Sequence, residues 1–254
     1  MIIRKSNAEI EKMAAAGRVV AETIAYVGEH VRPGVTTAEL DRIGEERIAS
    51  RGGVPTSKGY RGFPAALCIS PNSVVVHGIP RPHPLEEGDI VDIDVGVTLD
   101  GFVADSAYTF PVGDVSDEAE RLLEACQAAL AAGIAEARVG NRVGDISAAV
   151  QQVSEEAGFS VVRSLVGHGV GRSYHEDPQI PNFGPAGRGP LLSEGMTLAI
   201  EPMITAGRPE VYVHDDGWTI STADGSLAAH FEHTVAVTES GPRILTASAV
   251  PLLR

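Results

Sequence analysis

The sequence predicts an α+β fold made of two related halves, in which antiparallel strands are covered by helices. An acidic, alternating stretch that begins with Glu-Gly near residue 87 is followed by a similar Glu-Gly stretch near residue 194. A pair of amphipathic helices precedes each stretch, and the two pairs superpose when the chain is shifted so that Val20 falls on Cys126. We therefore expect one domain, residues 1–254, with an internal repeat of roughly 6–110 and 116–240.

The first pair of helices has clear start signals. Ser6-Asn7-Ala8-Glu9 is a capping box, and apolar residues then recur at steps of three and four from Ile10 to Val31. A second box, Thr36 to Glu39, opens a shorter helix. The second pair is predicted over about 117–137 and up to about 157, where Gly158 ends it.

The strands are predicted from alternation and turn residues. Two short strands are expected around 66–69 and 74–76, with Pro71-Asn72 as the turn between them. Another strand is expected near 160–166, before a loop rich in Pro and Gly. A second hairpin should join Met196–Ile204 to Phe231–Val237, with an insertion between its strands.

The stretch Glu87–Asp105 predicts a hairpin that carries two carboxylates on one face. Apolar residues alternate with Asp92 and Asp94 in its first strand, and Asp100-Gly101 is a strong hairpin turn. Asp94 and Asp105 are an odd number of residues apart, and an even-length loop between them puts both on the same face. For one isolated hairpin, a solvated acidic face explains this pattern equally well.

The second half adds two acids and one imidazole. Glu201 occupies the place of Asp94 in the repeat, and Glu232 the place of Asp105. With His168, four carboxylates and one imidazole would meet between the halves. This donor set suits Mn, Fe, Co or Zn, and four carboxylates match the charge of two divalent ions. Two such ions can share a bridging water and lower its pKa to about 7, so the predicted reaction class is metal-assisted hydrolysis.

Composition excludes several other classes of protein. The formal net charge is −14, so a basic footprint for nucleic acid or anionic membranes is missing. Two cysteines, Cys68 and Cys126, make no disulfide framework and favour a reducing cytoplasm. The start of the chain has no apolar signal region, and no segment approaches the length of a membrane span.

Seven residues in their local contexts resemble the methionine aminopeptidases of the bacterial type I class, over essentially the whole chain. They are His77 in VVVHGIP, Asp94 in DIDVG, Asp105 in ADSA, His168 in GHGVG, His175 in YHEDP, Glu201 in IEPM and Glu232 in FEHT. The resemblance implies the pita-bread fold, which agrees with the internal repeat.

The resemblance also implies a role for each site residue. Asp94 and Asp105 would bind one divalent ion, His168 and Glu201 the other, and Asp105 and Glu232 would bridge the two. His77 and His175 would approach the substrate, with His175 placed to hydrogen-bond the scissile carbonyl. Glu201 would shuttle the proton of the attacking water, and the resulting metal-bound hydroxide would attack the scissile carbonyl.

A pocket for an unbranched thioether is the remaining implied feature, since apolar, aromatic and soft side chains suit it. Its expected wall is Tyr60, Phe63, Cys68, Tyr174 and Trp218. Ser57, Phe63 and Tyr174 stand where relatives often carry Cys, Tyr and Phe, which affects fine selectivity. Backbone carbonyls from Asn72 to Val74 are a candidate site for a monovalent cation. His30, His83, His214, His230 and His233 receive no role, and His233 should point away from Glu232.

The leading interpretation is a cytoplasmic enzyme that removes the initiator methionine from nascent chains whose second residue is small. Its partners would be nascent N-termini, with transient proximity to the ribosome, and a monomer is expected. The first alternative is an Xaa-Pro aminopeptidase or prolidase, although these usually carry a large extra N-terminal domain. The second is a metal-free binding protein on the same fold, although such proteins usually lose metal ligands.

Overall fold

The computed structural model describes residues 1–247, which form four α-helices and fifteen β-strands. The helices are α1 (Asn7–Gly28), α2 (Thr37–Ser50), α3 (Asp117–Ala135) and α4 (Val143–Glu156). The strands of the first half are β1 (Val54–Pro55), β2 (Cys68–Pro71), β3 (Val74–Val76), β4 (Ile90–Leu99) and β5 (Phe102–Pro111). Those of the second are β6 (Ser160–Val161), β7 (Val166–Gly169), β8 (Glu176–Pro181), β9 (Thr197–Ile200), β10 (Met203–Thr205), β11 (Val211–Val213), β12 (Ile220–Thr222), β13 (Ala228–His230), β14 (His233–Thr238) and β15 (Gly241–Ile244).

The helix start signals act as predicted. Ser6 Oγ accepts a hydrogen bond from Glu9 N at 3.4 Å, and Glu9 Oε2 accepts one from Ser6 N at 2.8 Å. At α2, Thr36 Oγ1 accepts from Glu39 N at 3.1 Å, which is one half of the predicted box. α1 ends at Gly28 and not near Val31, and a turn at residues 29–30 follows it.

The first acidic hairpin forms in the predicted register. β4 and β5 pair along their full lengths, with Asp94 opposite Ala107 and Asp105 opposite Gly96. The two carboxylates are therefore diagonal neighbours on one face, and the parity prediction is confirmed. α1 packs along both strands, and its apolar stripe joins the main core.

The two short strands predicted after α2 are present, and they belong to different sheets. β2 pairs with β4, whereas β3 pairs with β12. The chain diverges at Asn72, which has a positive φ of 55°. Its side chain bonds to Asp89 Oδ1 and to the backbone N–H of Ile90, so the intervening turn is tied to β4.

The predicted strands of the second half are divided into shorter strands that belong to different sheets. The expected strand at 160–166 becomes β6 and β7, which belong to different sheets. The second hairpin is likewise split, because β9 pairs with β14 in a five-stranded sheet while β10 pairs with β13 in a three-stranded one. Pro202 interrupts one strand because it has no N–H to donate. On the other strand, Glu232 N donates to Ala107 O of β5 at 3.0 Å.

These breaks bend the second hairpin across the first, so that the acids of both halves face one another. The helices pack as two pairs, α1 on α2 and α3 on α4. Within residues 1–247, no helix has both the length and the apolar character needed to span a membrane.

Candidate active site

All of the predicted site residues line one cavity of about 220 Å³ between the two halves. They are Tyr60, Phe63, Cys68, His77, Asp94, Asp105, His168, Tyr174, His175, Glu201, Trp218 and Glu232. Residues distant in sequence are thus brought together, and the carboxylates lie with aromatic side chains around the same space.

The strands of the first hairpin hold two carboxylates at the cavity. Asp94 and Asp105 are only 8% and 4% exposed. Asp105 is fixed from the other half of the chain, because its N–H donates to Thr234 Oγ1 at 2.9 Å and its carbonyl accepts from the same hydroxyl. This contact ties the acid-bearing strand β5 to β14.

The other two carboxylates lie at the breaks of the second hairpin. Glu201 directly follows β9, and its carbonyl accepts a hydrogen bond from Asn182 Nδ2 at 2.8 Å. Glu232 lies between β13 and β14, and its carbonyl accepts from Ser106 Oγ at 2.5 Å. Since their backbones leave the strand ladders at these points, both side chains can turn towards the first hairpin.

His168 presents a nitrogen lone pair to the acids. Its Nδ1 lies 2.9 Å from Gly169 O, a pure acceptor, so Nδ1 carries the proton and Nε2 is free to accept. Nε2 lies 3.3 Å from Glu201 Oε1 and 4.0 Å from Asp105 Oδ2. Burial lowers the pKa of His168 to about 4, so the ring is neutral at neutral pH. A histidine oriented through its other nitrogen is typical of a metal ligand.

The four carboxylates are buried close together, which disfavours their charged forms unless a cation binds between them. Burial raises the pKa of Asp94 to about 7 and that of Glu201 to about 8. Burial, reinforced by the neighbouring carboxylates, raises the pKa of Asp105 and Glu232 well above their usual range. One oxygen of each of Asp94, Asp105 and Glu232 is buried and lacks a hydrogen-bond partner among the described residues.

These donors fit a divalent metal. Ligand atoms of Asp105, His168 and Glu232 lie within 4.8 Å of one another. Orphaned carboxylate oxygens and an unprotonated imidazole nitrogen are the groups that a divalent ion would satisfy, and burying them without a cation is costly.

Two further histidines face the cavity. The ring of His175 lies 4.2 Å from that of His168, and its Nδ1 is 2.9 Å from the Tyr60 hydroxyl. Burial lowers the pKa of His175 to about 3 and that of His77 to about 4. His77 has a positive φ of 57° and meets Trp218 edge-on at 6.1 Å. Both imidazoles are therefore neutral at neutral pH.

The apolar side of the cavity is a compact cluster. Phe63 and Trp218 meet edge-on at 5.2 Å, and Cys68 packs in the same cluster. Tyr60 and Tyr174 also meet edge-on at 5.2 Å. Ser57, one of the departures from the resemblance, forms a 3.0 Å hydrogen bond with the Tyr174 hydroxyl, so two of the departures contact each other.

Sequence reasoning missed a buried pair beside the acids. His230 Nδ1 lies 3.4 Å from Asp92 Oδ2, and both side chains are 2% exposed. Burial alone would lower the pKa of His230, but the Asp92 carboxylate and nearby acids raise it to about 9. Both residues could have been found by spacing, since each is two positions before a predicted ligand, Asp94 or Glu232, in an extended segment.

The remaining histidines lie outside this cavity within the described chain. His233 bonds through Nδ1 to Thr246 Oγ1 at 2.9 Å, and His214 bonds through Nε2 to Ser221 Oγ at 2.8 Å. His30 contacts Tyr26 O, and His83 is exposed. Other lining residues that the sequence did not indicate are Arg61, Val76, Leu165, Val166 and Met203.

Comparison with known proteins agrees with this geometry. A methionine aminopeptidase of Clostridium perfringens is 54% identical over 246 residues, which is 97% of this chain and 99% of that protein. Methionine aminopeptidase 1 of Bacillus subtilis is 50% identical with the same coverage. The crystal structure of the methionine aminopeptidase from Rickettsia prowazekii superposes with a TM-score of 0.96 at 44% identity, covering 97% of this chain and 100% of that chain.

The predicted pita-bread fold is confirmed by this structural likeness. The family model for metallopeptidase family M24 matches residues 11–239, which is most of the chain. The chain belongs to metallopeptidase family M24.

Proposed function

We propose that this protein is a metal-dependent aminopeptidase that removes the N-terminal methionine from polypeptides whose second residue is small. The observation that carries the proposal is the shape of one cavity, in which the Phe63, Cys68 and Trp218 cluster lies beside the four carboxylates and His168. A methionine side chain would enter the apolar part, because an unbranched thioether packs well against aromatic and sulfur groups.

Two divalent ions are the proposed cofactors, with Mn, Fe, Co and Zn as candidates. Asp94 and Asp105 would hold one ion, His168 and Glu201 the other, and Asp105 and Glu232 would bridge them. When bound, such ions supply Lewis acidity and an activated water at neutral pH. The orphaned oxygens of Asp94, Asp105 and Glu232 support this assignment.

His175 is the proposed donor to the scissile carbonyl. If the Tyr60 hydroxyl donates to His175 Nδ1, the proton of the neutral ring lies on Nε2, which is then free to donate to a carbonyl oxygen. Such a preorganised donor stabilises the negative charge that develops on that oxygen.

Glu201 and His77 complete the proposed catalytic set. The Glu201 carboxylate lies at the floor of the cavity, 3.3 Å from His168 Nε2, where it could take a proton from the attacking water and pass it to the leaving amine. His77, fixed beside Trp218 at the edge of the apolar cluster, would contact the substrate backbone. The acidic floor would receive the positively charged α-amine.

Further features of the proposal come from the resemblance. The whole chain would act as one catalytic domain, as a monomer in the cytoplasm, on nascent chains close to the ribosome. The monovalent cation near Asn72 stays a prediction. Asn72 O and Ser73 O each accept one backbone N–H, from Ala228 and Thr222, so a cation would use their second lone pairs.

The test is hydrolysis of four peptides, Met-Ala-Ser, Met-Lys-Ser, Leu-Ala-Ser and Met-Pro-Ser, by chelator-stripped protein with and without added metal. Metal-dependent release of methionine from Met-Ala-Ser, with little cleavage of the Lys and Leu peptides, is the expected result. Preference for the Pro peptide, whatever the first residue, would make the protein an Xaa-Pro aminopeptidase. Metal binding without any hydrolysis would favour a binding protein.

A further inference from the structure

Arg61 is an isolated positive charge at the mouth of an acidic cavity. It is the one Lys or Arg side chain among the described residues that line this cavity, in a chain with a net charge of −14. Its side chain is exposed, whereas the four carboxylates are buried at the floor. Arg61 is therefore a positive charge on the solvent-exposed part of the cavity lining.

The backbone holds Arg61 at the rim. Arg61 has φ 48° and ψ 25°, a left-handed backbone conformation that residues other than glycine rarely adopt. The surrounding turn enforces it, because Phe63 N donates to Tyr60 O at 2.9 Å and Gly59 N donates to Phe63 O at 2.8 Å. A strained residue held between two cavity residues, Tyr60 and Phe63, suggests a functional reason for its position.

The guanidinium of Arg61 is free to bind a ligand. It lies 5.4 Å from the centroid of the Tyr60 ring and forms no ion pair with any residue from 1 to 247. By contrast, Arg42, Arg172 and Arg243 each pair with a glutamate. The Tyr60 hydroxyl contacts His175, so Arg61 lies on the side of the cavity proposed to hold the scissile carbonyl.

We propose that Arg61 determines specificity by binding an acidic side chain at the third residue of the peptide substrate. This inference rests on the proposed function, in which the α-amine lies at the acidic floor, methionine fills the apolar pocket and the second residue is small. The third residue is then the first large side chain to emerge past the rim. A guanidinium matches a carboxylate in geometry as well as charge.

The balance of charges explains the need for such a residue. The net negative charge of the chain repels acidic peptides and attracts basic ones, even when metal ions neutralise the buried acids. Arg61 would offset that repulsion locally. Because the contact is exposed, its effect should be modest and should weaken as salt screens it.

The experiment compares three C-terminally amidated peptides, Met-Ala-Glu-Ser, Met-Ala-Gln-Ser and Met-Ala-Lys-Ser, on the metal-loaded protein at low ionic strength. We expect kcat/KM to be about 3-fold higher for Glu than for Gln, mostly through a lower KM. The advantage should shrink at about 0.5 M salt, where the screening length is only a few ångströms. Arg61→Glu should reverse the order so that the Lys peptide is preferred, and Arg61→Lys should keep part of the Glu preference.

Lys58→Gln is the matched control, since Lys58 is in the same loop but pairs with Glu45 at 2.6 Å outside the cavity lining. It should leave the Glu-to-Lys ratio unchanged. An identical ratio in the wild type and Arg61→Glu would overturn the inference alone. Failure to hydrolyse any of the three peptides would overturn the proposed function and this inference with it.

Discussion

The chain buries carboxylates in two neighbouring regions, and it supplies a cation and hydrogen bonds to the carboxylate in only one of them. The side chain of Glu176, which follows His175, is 5% exposed and pairs with Lys5 Nζ at 2.5 Å. Its other oxygen accepts backbone N–H groups of Arg172 and Ser173. In the cavity, by contrast, Asp105 and Glu232 are equally buried but each keeps an oxygen without a partner among the described residues.

The difference separates structural acids from functional ones. A buried carboxylate is tolerated when a cation and hydrogen bonds satisfy it, and Lys5 supplies that cation for Glu176. The cavity acids lack enough positive charge from the chain itself, so a bound metal must supply it. The Asp92–His230 pair is intermediate, because its imidazole offsets one carboxylate beside the cluster.

The largest expected effect is that of Asp105→Asn. Activity should fall by roughly 10³-fold or more, because bound metal ions contribute several kcal/mol to the reaction. Metal content, measured by elemental analysis, should fall as well. In the metal-free protein the free energy of unfolding should stay the same or rise, since a neutral amide replaces a buried acid. Near-normal turnover with full metal content would contradict the proposed bridging role.

Lys5→Met should lower the free energy of unfolding, whereas Asp105→Asn should not. It leaves Glu176 buried without its cation, and breaking a buried pair costs about 3–5 kcal/mol. Urea unfolding should show this loss with and without metal. The control is Arg42→Met, which breaks the exposed Arg42–Glu46 pair and should cost less than about 0.5 kcal/mol. Equal losses in the two variants would show that the buried pair has no special role.

His175→Ala tests a residue that lies between the two regions. Loss of the proposed donor should lower kcat by about 10²-fold while leaving metal content unchanged. His30→Ala, which alters a histidine outside the cavity, should have no effect on kcat. Loss of metal in the His175 variant would make this histidine a ligand.

The last prediction is the pH dependence of the stability of the metal-free protein. The pKa of Asp94 is raised to about 7 and that of Glu201 to about 8, so the folded state retains protons that the unfolded state has lost. The contribution of these groups to stability is therefore fully present below about pH 4 and is lost as the pH rises through about 7 to 8. Urea unfolding in chelator from pH 5.5 to 8.5 measures it, and a flat profile would contradict the raised pKa values. Bound metal should reduce the slope.

Local patterns in the sequence were enough to predict much of the fold. The caps at Ser6 and Thr36 and the parity of Asp94 and Asp105 depend only on short-range geometry. Helix and strand periodicities likewise act within a few residues, so they survive whatever the rest of the chain does. The site residues were identified by their contexts and by the repeat, and all of them line one cavity.

What the sequence alone determined is therefore the two helix pairs, the first acidic hairpin, the metal-binding donor types and the face on which the first two acids lie. Tertiary structure decided how the second hairpin breaks at Pro202 and Glu232, and that Lys5 neutralises Glu176 from 171 positions away. It also decided that His230 meets Asp92. These contacts depend on packing between distant segments, and a periodic pattern carries no information about which distant group will satisfy a buried charge.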